Sequence, residues 1–417
     1  MATTVGATMR PRVTLHFADS AVLKVWRAAA LFGFAMSIPP TAYAQSPGSW
    51  ATAAGGRPIP HEGERPVSSP PATSGSADVR RGLVQVPSQR RVIDKHWVGL
   101  WHTAGGAEDE LFGVPRELMA TSDGVVVLDV GTLQLSAFGR DGALRWTAGR
   151  KGNGPGEFAR PVDLALMPGG DIAVLDPDNS RVSVFGANGR YKRSITSSSA
   201  VSARSVCATT DGRLHFLLGS PAGFLETTSG DGKRLRAAKF PWPVAAEAGS
   251  FLRSANFARG AANADCTFST TFGFGNARVM PTGVMATTPF IEFVRAPVIT
   301  AQRVKGVGLR QVMTDGDNAA LASFQSGDTL FVNFAGASDD KLRILDLYDA
   351  KGRYLESWKL PFTGFLAYRD GYLYAMLNTQ ESADLAAFVP AADTARVLKA
   401  FPRRKAGAPA RTGQSGR

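Results

Sequence analysis

Apolar and polar positions along the chain form short runs separated by Gly, Asp and Asn. Residues 125–128 are four consecutive apolar side chains followed by Asp129, and residues 172–175 form a matching run followed by Asp176. Apolar runs this short, bounded by turn-forming residues, predict β-strands joined by tight turns. The pattern therefore indicates an all-β fold.

The two runs belong to a longer repeat with a spacing of 47 residues. Each copy contains an apolar strand, a second strand that ends in Phe, and a Gly turn. The matching positions are Asp129 and Asp176, Phe138 and Phe185, and Gly142 and Gly189. A repeat of this length, built from short strands, is typical of one four-stranded blade of a β-propeller.

Further turn signals extend the repeat along the chain. Strand-like runs precede pairs of turn residues at 123–124, 169–170, 211–212, 326–327 and 370–371. Such pairs favour tight hairpins, because Gly and Asp tolerate the positive φ that two-residue turns require. Gly212 and Gly327 are 115 residues apart, more than two repeat spacings, so one further blade and an insertion must lie between them. We place its turn at 282–283, its strands up to residue 294, and the insertion at 245–263.

The count predicts a six-bladed β-propeller of four-stranded antiparallel blades over residues 91–401. A propeller closes its ring when a strand from one terminus completes the sheet begun at the other. Residues 92–101 are β-rich, and we expect them to pair with a C-terminal blade that contains residues 371–378 and 385–390. Closure would protect the hydrogen-bonding groups of the sheet edges.

A glycine-rich segment lies between the two best copies of the repeat. Residues 149–158 read Gly-Arg-Lys-Gly-Asn-Gly-Pro-Gly-Glu-Phe, and residues 176–185 contain Asp-Pro-Asp-Asn-Ser-Arg and a closing Phe. This order resembles an NHL-type repeat of bacterial six-bladed β-propeller proteins, over residues 110–195. The resemblance implies that the glycines connect two blades, that Phe158 packs between them, and that Asp176 is structural. A phosphate-binding loop is the alternative, but the Lys-Ser/Thr pair and the following helix are missing.

The ends of the chain differ in composition from the repeats. Residues 1–44 resemble a signal peptide, with basic residues, an apolar stretch at 28–38, and Ala-Tyr-Ala at 42–44 before the predicted cleavage site. An 11-residue apolar stretch is short for a bilayer helix, which needs about 20 residues, so a retained anchor is the weaker alternative. We therefore predict a periplasmic or extracellular location and no transmembrane span in the mature chain. Residues 45–90 predict a disordered Pro/Ser/Gly-rich leader, and residues 402–417 predict a disordered basic tail.

The formal net charge of +12 bears on the choice of partners. Basic residues are interspersed with acidic ones, and the longest basic run is at 403–405. A nucleic-acid interface would need clustered Lys and Arg. The charge instead favours solubility and weak attraction to anionic surfaces, and we expect a monomer that binds no nucleic acid.

The chain contains two cysteines, Cys207 and Cys266. In an exported protein they can form a disulfide, which would join two neighbouring blades. The alternative is that both are small buried hydrophobic residues. Two thiols this far apart do not make a metal site.

Candidate ligand-binding residues lie where the predicted inner strands surround the channel. Aligning the repeats places Glu117 opposite Asp163, and Arg116 and Arg204 occupy matching positions in their own blades. Carboxylates from neighbouring blades suit Ca²⁺, which prefers several oxygen ligands, so Glu117 and Asp163 are candidate metal ligands. The alternative is that all four are strand-end residues that pair with one another.

The predicted function is an exported, non-enzymatic binding module for an envelope protein, peptide or glycan. Trp242, next to the predicted insertion, is the candidate contact residue, because exposed aromatic side chains favour interfaces; its alternative role is to cap the core of a blade. A Ca²⁺-dependent lyase or lactonase-like hydrolase, acting in the channel, is the alternative function. Amidating-type lyases that resemble NHL propellers hold a metal with several histidines, whereas only His96, His102 and His215 lie near predicted strands here. No cofactor is expected, apart from that possible Ca²⁺, and no Gly-x-Ser-x-Gly motif is present.

Overall fold

The computed structural model describes a chain made almost entirely of β-strands. The residues it describes are 89–103, 111–219, 224–242, 255–260, 263, 265–272, 274–280, 285–292, 298–304, 308–314, 318–335, 340, 342–378 and 383–400. The predicted signal peptide, the predicted tail and all but the last two residues of the predicted leader lie outside these ranges. Within them are two short helices, α1 (Ser198–Val201) and α2 (Thr394–Ala400). Neither helix is long and apolar enough to cross a membrane, and the described residues hold no other helix that is.

The strands form six consecutive blades in chain order. Two strands precede the blades: β1 (Val92–Asp94) and β2 (Trp97–His102). Blade 1 contains β3 (Pro115–Ala120), β4 (Gly124–Asp129), β5 (Gln134–Gly139) and β6 (Leu144–Ala148). Blade 2 contains β7 (Asp163–Leu166), β8 (Ile172–Asp176), β9 (Arg181–Phe185) and β10 (Tyr191–Thr196). Blade 3 contains β11 (Ala203–Ala208), β12 (Leu214–Leu218), β13 (Leu225–Thr228) and β14 (Arg234–Ala238).

The second half of the ring is less regular. Blade 4 contains β15 (Ala255–Phe257), β17 (Cys266–Thr270), β18 (Gly275–Val279) and β19 (Met285–Pro289), and β16 (Arg259–Gly260) lies between its first two strands in sequence. A separate hairpin follows, made of β20 (Val298–Val304) and β21 (Gly308–Thr314). Blade 5 contains β22 (Ala320–Ser326), β23 (Thr329–Phe334), β24 (Ile344–Tyr348) and β25 (Tyr354–Lys359). Blade 6 contains β26 (Phe365–Arg369), β27 (Tyr372–Asn378), β28 (Ala383–Pro390) and, from the other end of the chain, β2.

Each blade is an antiparallel meander, and the inner strands contact one another around the axis. Five blades are four-stranded sheets, and blade 5 carries β1 on its outer edge and β16 on its inner edge. Because every blade repeats the same meander, all inner strands begin on one side of the ring. We call this side the loop face; it is formed by the connections between blades, such as residues 149–162 and 197–202. The predicted all-β propeller with six four-stranded blades is confirmed.

The outer strands bind each blade to the next through its turn. Trp101 of β2 donates its indole N–H to the carbonyl of Arg140 at 2.8 Å, and Trp146 of β6 donates to the carbonyl of Ala187 at 3.0 Å. The indole of Trp101 lies against Gly142, and the indole of Trp146 lies against Gly189. A Cβ atom at either turn glycine would overlap the indole. Both glycines also have positive φ, 82° and 79°, so two separate constraints select Gly.

Apolar side chains fill the spaces between neighbouring blades. Phe158 is fully buried between blades 1 and 2, where its ring lies 5.6 Å from that of Phe185. The glycine-rich segment before it runs from β6 to β7 and so connects the two blades. Both features agree with the implications of the resemblance.

The N-terminal segment closes the ring with one of its two strands. Strand β2 pairs antiparallel with β28, with Trp97 opposite Pro390, as predicted. The predicted closing strand at 92–101 is nevertheless divided, since Val92–Asp94 pair in parallel with β25 of blade 5. Between the two strands, the ammonium group of Lys95 lies 4.3 Å from the centre of the Trp358 ring.

Blade 4 departs from the sequence-based prediction. The predicted turn at 282–283 lies outside the described residues, and the strands that precede and follow it, β18 and β19, pair as the third and fourth strands of the blade. The predicted insertion at 245–263 contains β15 and β16, and residues 290–292 are not a strand. Strands of three and two residues are too short to produce a periodic pattern, which is why they were assigned to an insertion.

Candidate functional site

The inner strands of three blades bring polar side chains to the channel near the loop face. In β3 the register skips Arg116, and in β11 it skips Arg204, so both arginines are bulge residues. A β-bulge redirects a side chain, and bulges are common beside functional sites. The matching positions of the two arginines in the repeat therefore correspond to a shared backbone feature.

Arg259 fills the centre of this region, and the sequence did not single it out. After β15, the chain leaves blade 4, and β16 pairs in parallel with β22 while also contacting β3 and β7. The Arg259 guanidinium forms an ion pair with Glu117, and its Nε lies 3.4 Å from Oδ1 of Asp163. The three side chains are largely buried, with 9%, 14% and 3% of their surfaces exposed. Glu117 and Asp163 therefore converge, as predicted, with a guanidinium between them.

Asp163 also links three blades by hydrogen bonds. Its Oδ2 accepts from the hydroxyl of Ser205 at 2.5 Å and from the backbone N–H of Val206 at 2.9 Å. The Ser205 hydroxyl oxygen in turn accepts from the backbone N–H of Phe257 at 3.0 Å. We call Glu117, Asp163, Ser205 and Arg259 the channel cluster.

Glu117 is the group of the cluster whose protonation is most strongly altered. Burial raises the pKa of its carboxyl to about 7, against the opposing charges of Arg259 and Arg116. A carboxyl with this pKa is partly protonated at neutral pH, so Glu117 carries less than a full negative charge there. Protonation of Glu117 therefore weakens its ion pair with Arg259.

Arg204 differs from Arg259 because no described residue serves as its counter-ion. It is partly buried, and it forms no hydrogen bond or ion pair with any residue that the structure describes. Its guanidinium lies against Gly219, at the end of β12. Burial lowers the pKa of Arg204, with no opposing charge. Arg116 is exposed and also lacks an ion pair within the described ranges.

The predicted calcium ligands have a cation as their neighbour. Arg259 occupies the position between Glu117 and Asp163 that a metal ion would need. Among the described residues, no group of three or more His, Cys, Asp or Glu side chains is arranged to hold a metal. Two buried side chains with amide oxygens, which could also bind calcium, are hydrogen-bonded within their blades: Asn276 accepts from Ser269, and Asn333 donates to the carbonyl of Leu342.

The three described histidines do not share a site. His102 is half-exposed, with its Nδ1 3.0 Å from Asp384 of blade 6. His215 is buried in blade 3, with its Nδ1 2.9 Å from the Thr227 hydroxyl, and burial lowers its pKa to about 4. His96 is exposed between β1 and β2.

Trp242 lies in an aromatic cluster beside blades 3 and 4. Its ring stacks on Phe274 with centres 5.9 Å apart, and it contacts Phe240 at 5.3 Å and Phe268 at 6.3 Å. The residue is partly buried. This is the position of a side chain that caps the core of a blade, while its exposed part is still open to a partner.

A disulfide joins Cys207 of β11 to Cys266 of β17, with Cα atoms 6.1 Å apart. It connects the inner strand of blade 3 to the second strand of blade 4. This is the connection between neighbouring blades that a disulfide at these positions was expected to make. Both cysteines lie near the region where β16 enters the channel.

The repeated carboxylates Asp129 and Asp176 hold backbone groups. Asp176 accepts from the N–H groups of Ala159 and Arg160 at 3.0 and 2.8 Å, and from the Asn179 side chain at 2.7 Å. Arg181, which lies opposite Asp176 in the strand register, does not pair with this carboxylate. The Arg181 guanidinium instead donates to three carbonyls of the glycine-rich segment, because that segment lies closer to it.

Comparison with known proteins supports the fold. A family model described as a 6-bladed beta-propeller matches residues 106–224. No curated protein matches the chain.

Similar solved structures include virginiamycin B lyase from Staphylococcus aureus, with 12% sequence identity, covering 70% of this chain and 98% of that one, at a TM-score of 0.42. Hydrazine synthase from Kuenenia stuttgartiensis has 10% identity and covers 68% of this chain and 98% of that one, at 0.39. The Pan2 WD40 domain from Neurospora crassa has 8% identity and covers 73% of this chain and 98% of that one, at 0.41. Likenesses this weak say nothing about the activity of this chain.

Proposed function

We propose that the chain is an exported, non-enzymatic binding module whose loop face takes an envelope protein, peptide or glycan. The observation that supports this most is the ion pairing of both channel carboxylates with Arg259. A calcium-dependent active site would need oxygen ligands that are free to bind the cation. In this chain Glu117 and Asp163 both pair with Arg259, so the cluster is better suited to stabilising the blades.

The loop face offers contacts that a macromolecular partner could use. Leu111, Val114, Val201 and Phe365 are all more than 40% exposed, and they lie just before or at the beginning of inner strands. Apolar side chains of this size on one face favour an interaction surface. The same face carries the glycine-rich segment, which Arg181 and Asn179 fix to blade 2. On that arrangement we also propose that blades 1 and 2 are NHL-type repeats.

Affinity capture from an envelope extract tests the proposal. The full chain should retain a specific partner, and excess free protein should compete for it. Capture of nothing that competes would contradict the binding function. Trp242→Ala tests the predicted contact residue, and it is expected to weaken capture only if the exposed part of the indole is used.

A second experiment deletes part of the predicted insertion next to Trp242, and the deletion must be shorter than the predicted range 245–263. Ala255–Phe257 and Arg259–Gly260 form β15 and β16, so removing 245–263 would damage the channel cluster. Deleting 245–253 leaves both strands in place. Undiminished capture after this deletion would exclude the segment as a contact.

A lyase or lactonase-like hydrolase that acts in the channel is the second candidate. The observation in its favour is Glu117, because a carboxyl with a pKa of about 7 is suited to proton transfer at neutral pH. Its ion pair with Arg259 gives the same residue a structural role. Calcium dependence separates the two candidates, since the enzyme requires a cation that the binding module does not.

A further inference from the structure

We propose that the channel mouth on the loop face binds an acidic peptide segment of the partner, with Arg204 as the main carboxylate-binding side chain and Arg116 as the second. This inference rests on the proposed binding function and adds the chemistry of the ligand. It is carried by two bulged arginines that the described structure leaves without counter-ions.

Arg204 has the properties of a side chain that binds an anionic ligand. Its guanidinium is partly withdrawn from water, yet no carboxylate or carbonyl of a described residue accepts from it. Removing a charge from water without a partner is unfavourable, and an arriving carboxylate would restore the lost interactions. A guanidinium can bind a carboxylate through two parallel hydrogen bonds.

Gly219 determines where that guanidinium lies. The side chain of Arg204 rests on the Gly219 backbone, and a Cβ atom at this position would collide with it. Gly219 does not have a positive φ, so its backbone conformation does not require glycine. Glycine is favoured here because it has no side chain. The glycine thus leaves room for the arginine at the loop-face end of blade 3.

Arg116 places a second positive charge at the same end of the ring. Its bulge repeats that of Arg204, and its charge reaches the channel cluster, where it opposes the rise in the pKa of Glu117. The two acids of that cluster are already paired with Arg259. The three arginines therefore exceed these acids by one charge, and protonation of Glu117 increases the excess.

The surroundings of the two arginines favour a peptide over a glycan. Val114 lies two residues before Arg116, and Val201 lies three residues before Arg204; both are about half exposed. Phe365 begins β26, whose neighbour is β3. A peptide that carries both carboxylate and apolar side chains can use the arginines and these apolar groups together.

Fluorescence anisotropy with a defined probe tests the inference. The probe is a labelled octapeptide that alternates Glu and Leu, and the control probe alternates Gln and Leu. The wild-type chain should bind the acidic probe, and Arg204→Gln should weaken binding about tenfold or more, because a charge-assisted bidentate contact is lost. Arg116→Gln should weaken it several-fold.

Two further variants separate binding from folding. Arg190→Gln removes an exposed arginine from the turn between β9 and β10, on the opposite face, and should leave affinity unchanged. Gly219→Ala keeps every charge but displaces the Arg204 guanidinium, so it should weaken binding while the melting temperature stays near that of the wild type.

Several outcomes would overturn the inference. These are equal affinity of wild type and Arg204→Gln for the acidic probe, equal affinity for both probes, no binding of the acidic probe, or binding only of a uronic-acid oligosaccharide. If a specific partner is still captured from envelope extract, and equally well by Arg204→Gln, the binding function stands and only the acidic ligand is wrong.

Discussion

A single buried carboxylate organises the start of each of the first two blades. Asp176 accepts two backbone N–H groups from the segment that enters blade 2 and one from a turn side chain. Asp129 does the same in blade 1, with four backbone donors that include Gly113 and Gly131. A buried backbone N–H group without a hydrogen-bond acceptor lowers the stability of the fold. The repeated Asp therefore accepts from N–H groups that form no hydrogen bond within the sheet.

Replacing Asp176 with Ala should destabilise the fold without changing ligand binding. The variant removes a buried carboxyl group that accepts three hydrogen bonds, and we expect a loss of about 3 kcal/mol in the free energy of unfolding. Asp178→Ala is the matched control, because Asp178 is half-exposed and forms a surface ion pair with Arg160, which contributes about 1 kcal/mol or less. Urea unfolding measures both. Equal losses in the two variants would contradict the role given to Asp176.

Two buried groups should make stability depend on pH in opposite directions. The folded-state pKa of Glu117 is raised from 4.5 to about 7, so the folded chain binds the extra proton, and Glu117 lowers stability as pH rises between these values. The pKa of His215 is lowered from 6.5 to about 4, so the unfolded chain binds the extra proton, and His215 lowers stability as pH falls through that window.

Glu117→Gln should therefore remove a fall in unfolding free energy toward neutral pH, and His215→Gln should remove a fall toward acid pH. Urea unfolding of the two variants and the wild type at several pH values between 4 and 7 measures this. Slopes that change in the same direction in both variants would show that one assignment is wrong.

At the scale of strands and blades, the disulfide between blades 3 and 4 should contribute measurably to the stability of the ring. Cys207 and Cys266 are 59 residues apart, and closing a loop of this length stabilises a fold by about 4 kcal/mol in the chain-entropy description. The double variant Cys207→Ser, Cys266→Ser should lose about that much. Added reductant should lower the stability of the wild type but not of the double variant. An equal response of both proteins to reductant would contradict the bond.

Sequence predicted the regular blades and failed where strands are short or leave their sheet. Blades 1 and 2 follow from apolar runs and Gly turns, because those turns need the backbone freedom of Gly whatever surrounds them. Strand β15 has three residues and β16 has two, so neither produces a pattern. Pairing of β16 with β22 is a contact between residues more than sixty positions apart, which local propensity does not encode.

The same limit applies to the channel cluster. Glu117 and Asp163 were found because they occupy matching places in a repeat. Arg259 belongs to no repeat, and the amino-acid composition of the residues around it in the sequence is typical of a loop. The sequence offered one chemical indication of this residue. Two carboxylates that are buried together require a positive charge nearby, so a basic side chain from another part of the chain had to be buried beside Glu117 and Asp163.

At the scale of the whole molecule, we propose that the ring separates a stabilising centre from a binding rim. Arg259 pairs with both carboxylates that face the channel and ties blade 5 to blades 1 and 2. Arg116 and Arg204, at the beginning of their strands, form no ion pair with a residue that the structure describes. Arg90 ties the segment before β1 to blade 5 through Asp346 and to the residues after blade 4 through Glu292, so the N-terminal chain is anchored before it closes the ring.

The dependence of the melting temperature on calcium tests most directly whether Arg259 supplies the charge that balances Glu117 and Asp163. The wild-type chain is scanned in EDTA and in excess Ca²⁺, after metal analysis of the purified protein. The account predicts no bound calcium and the same melting temperature in both solutions, to within about 1 °C. A rise of several degrees in Ca²⁺ would show that the folded chain binds the ion, and it would contradict the account.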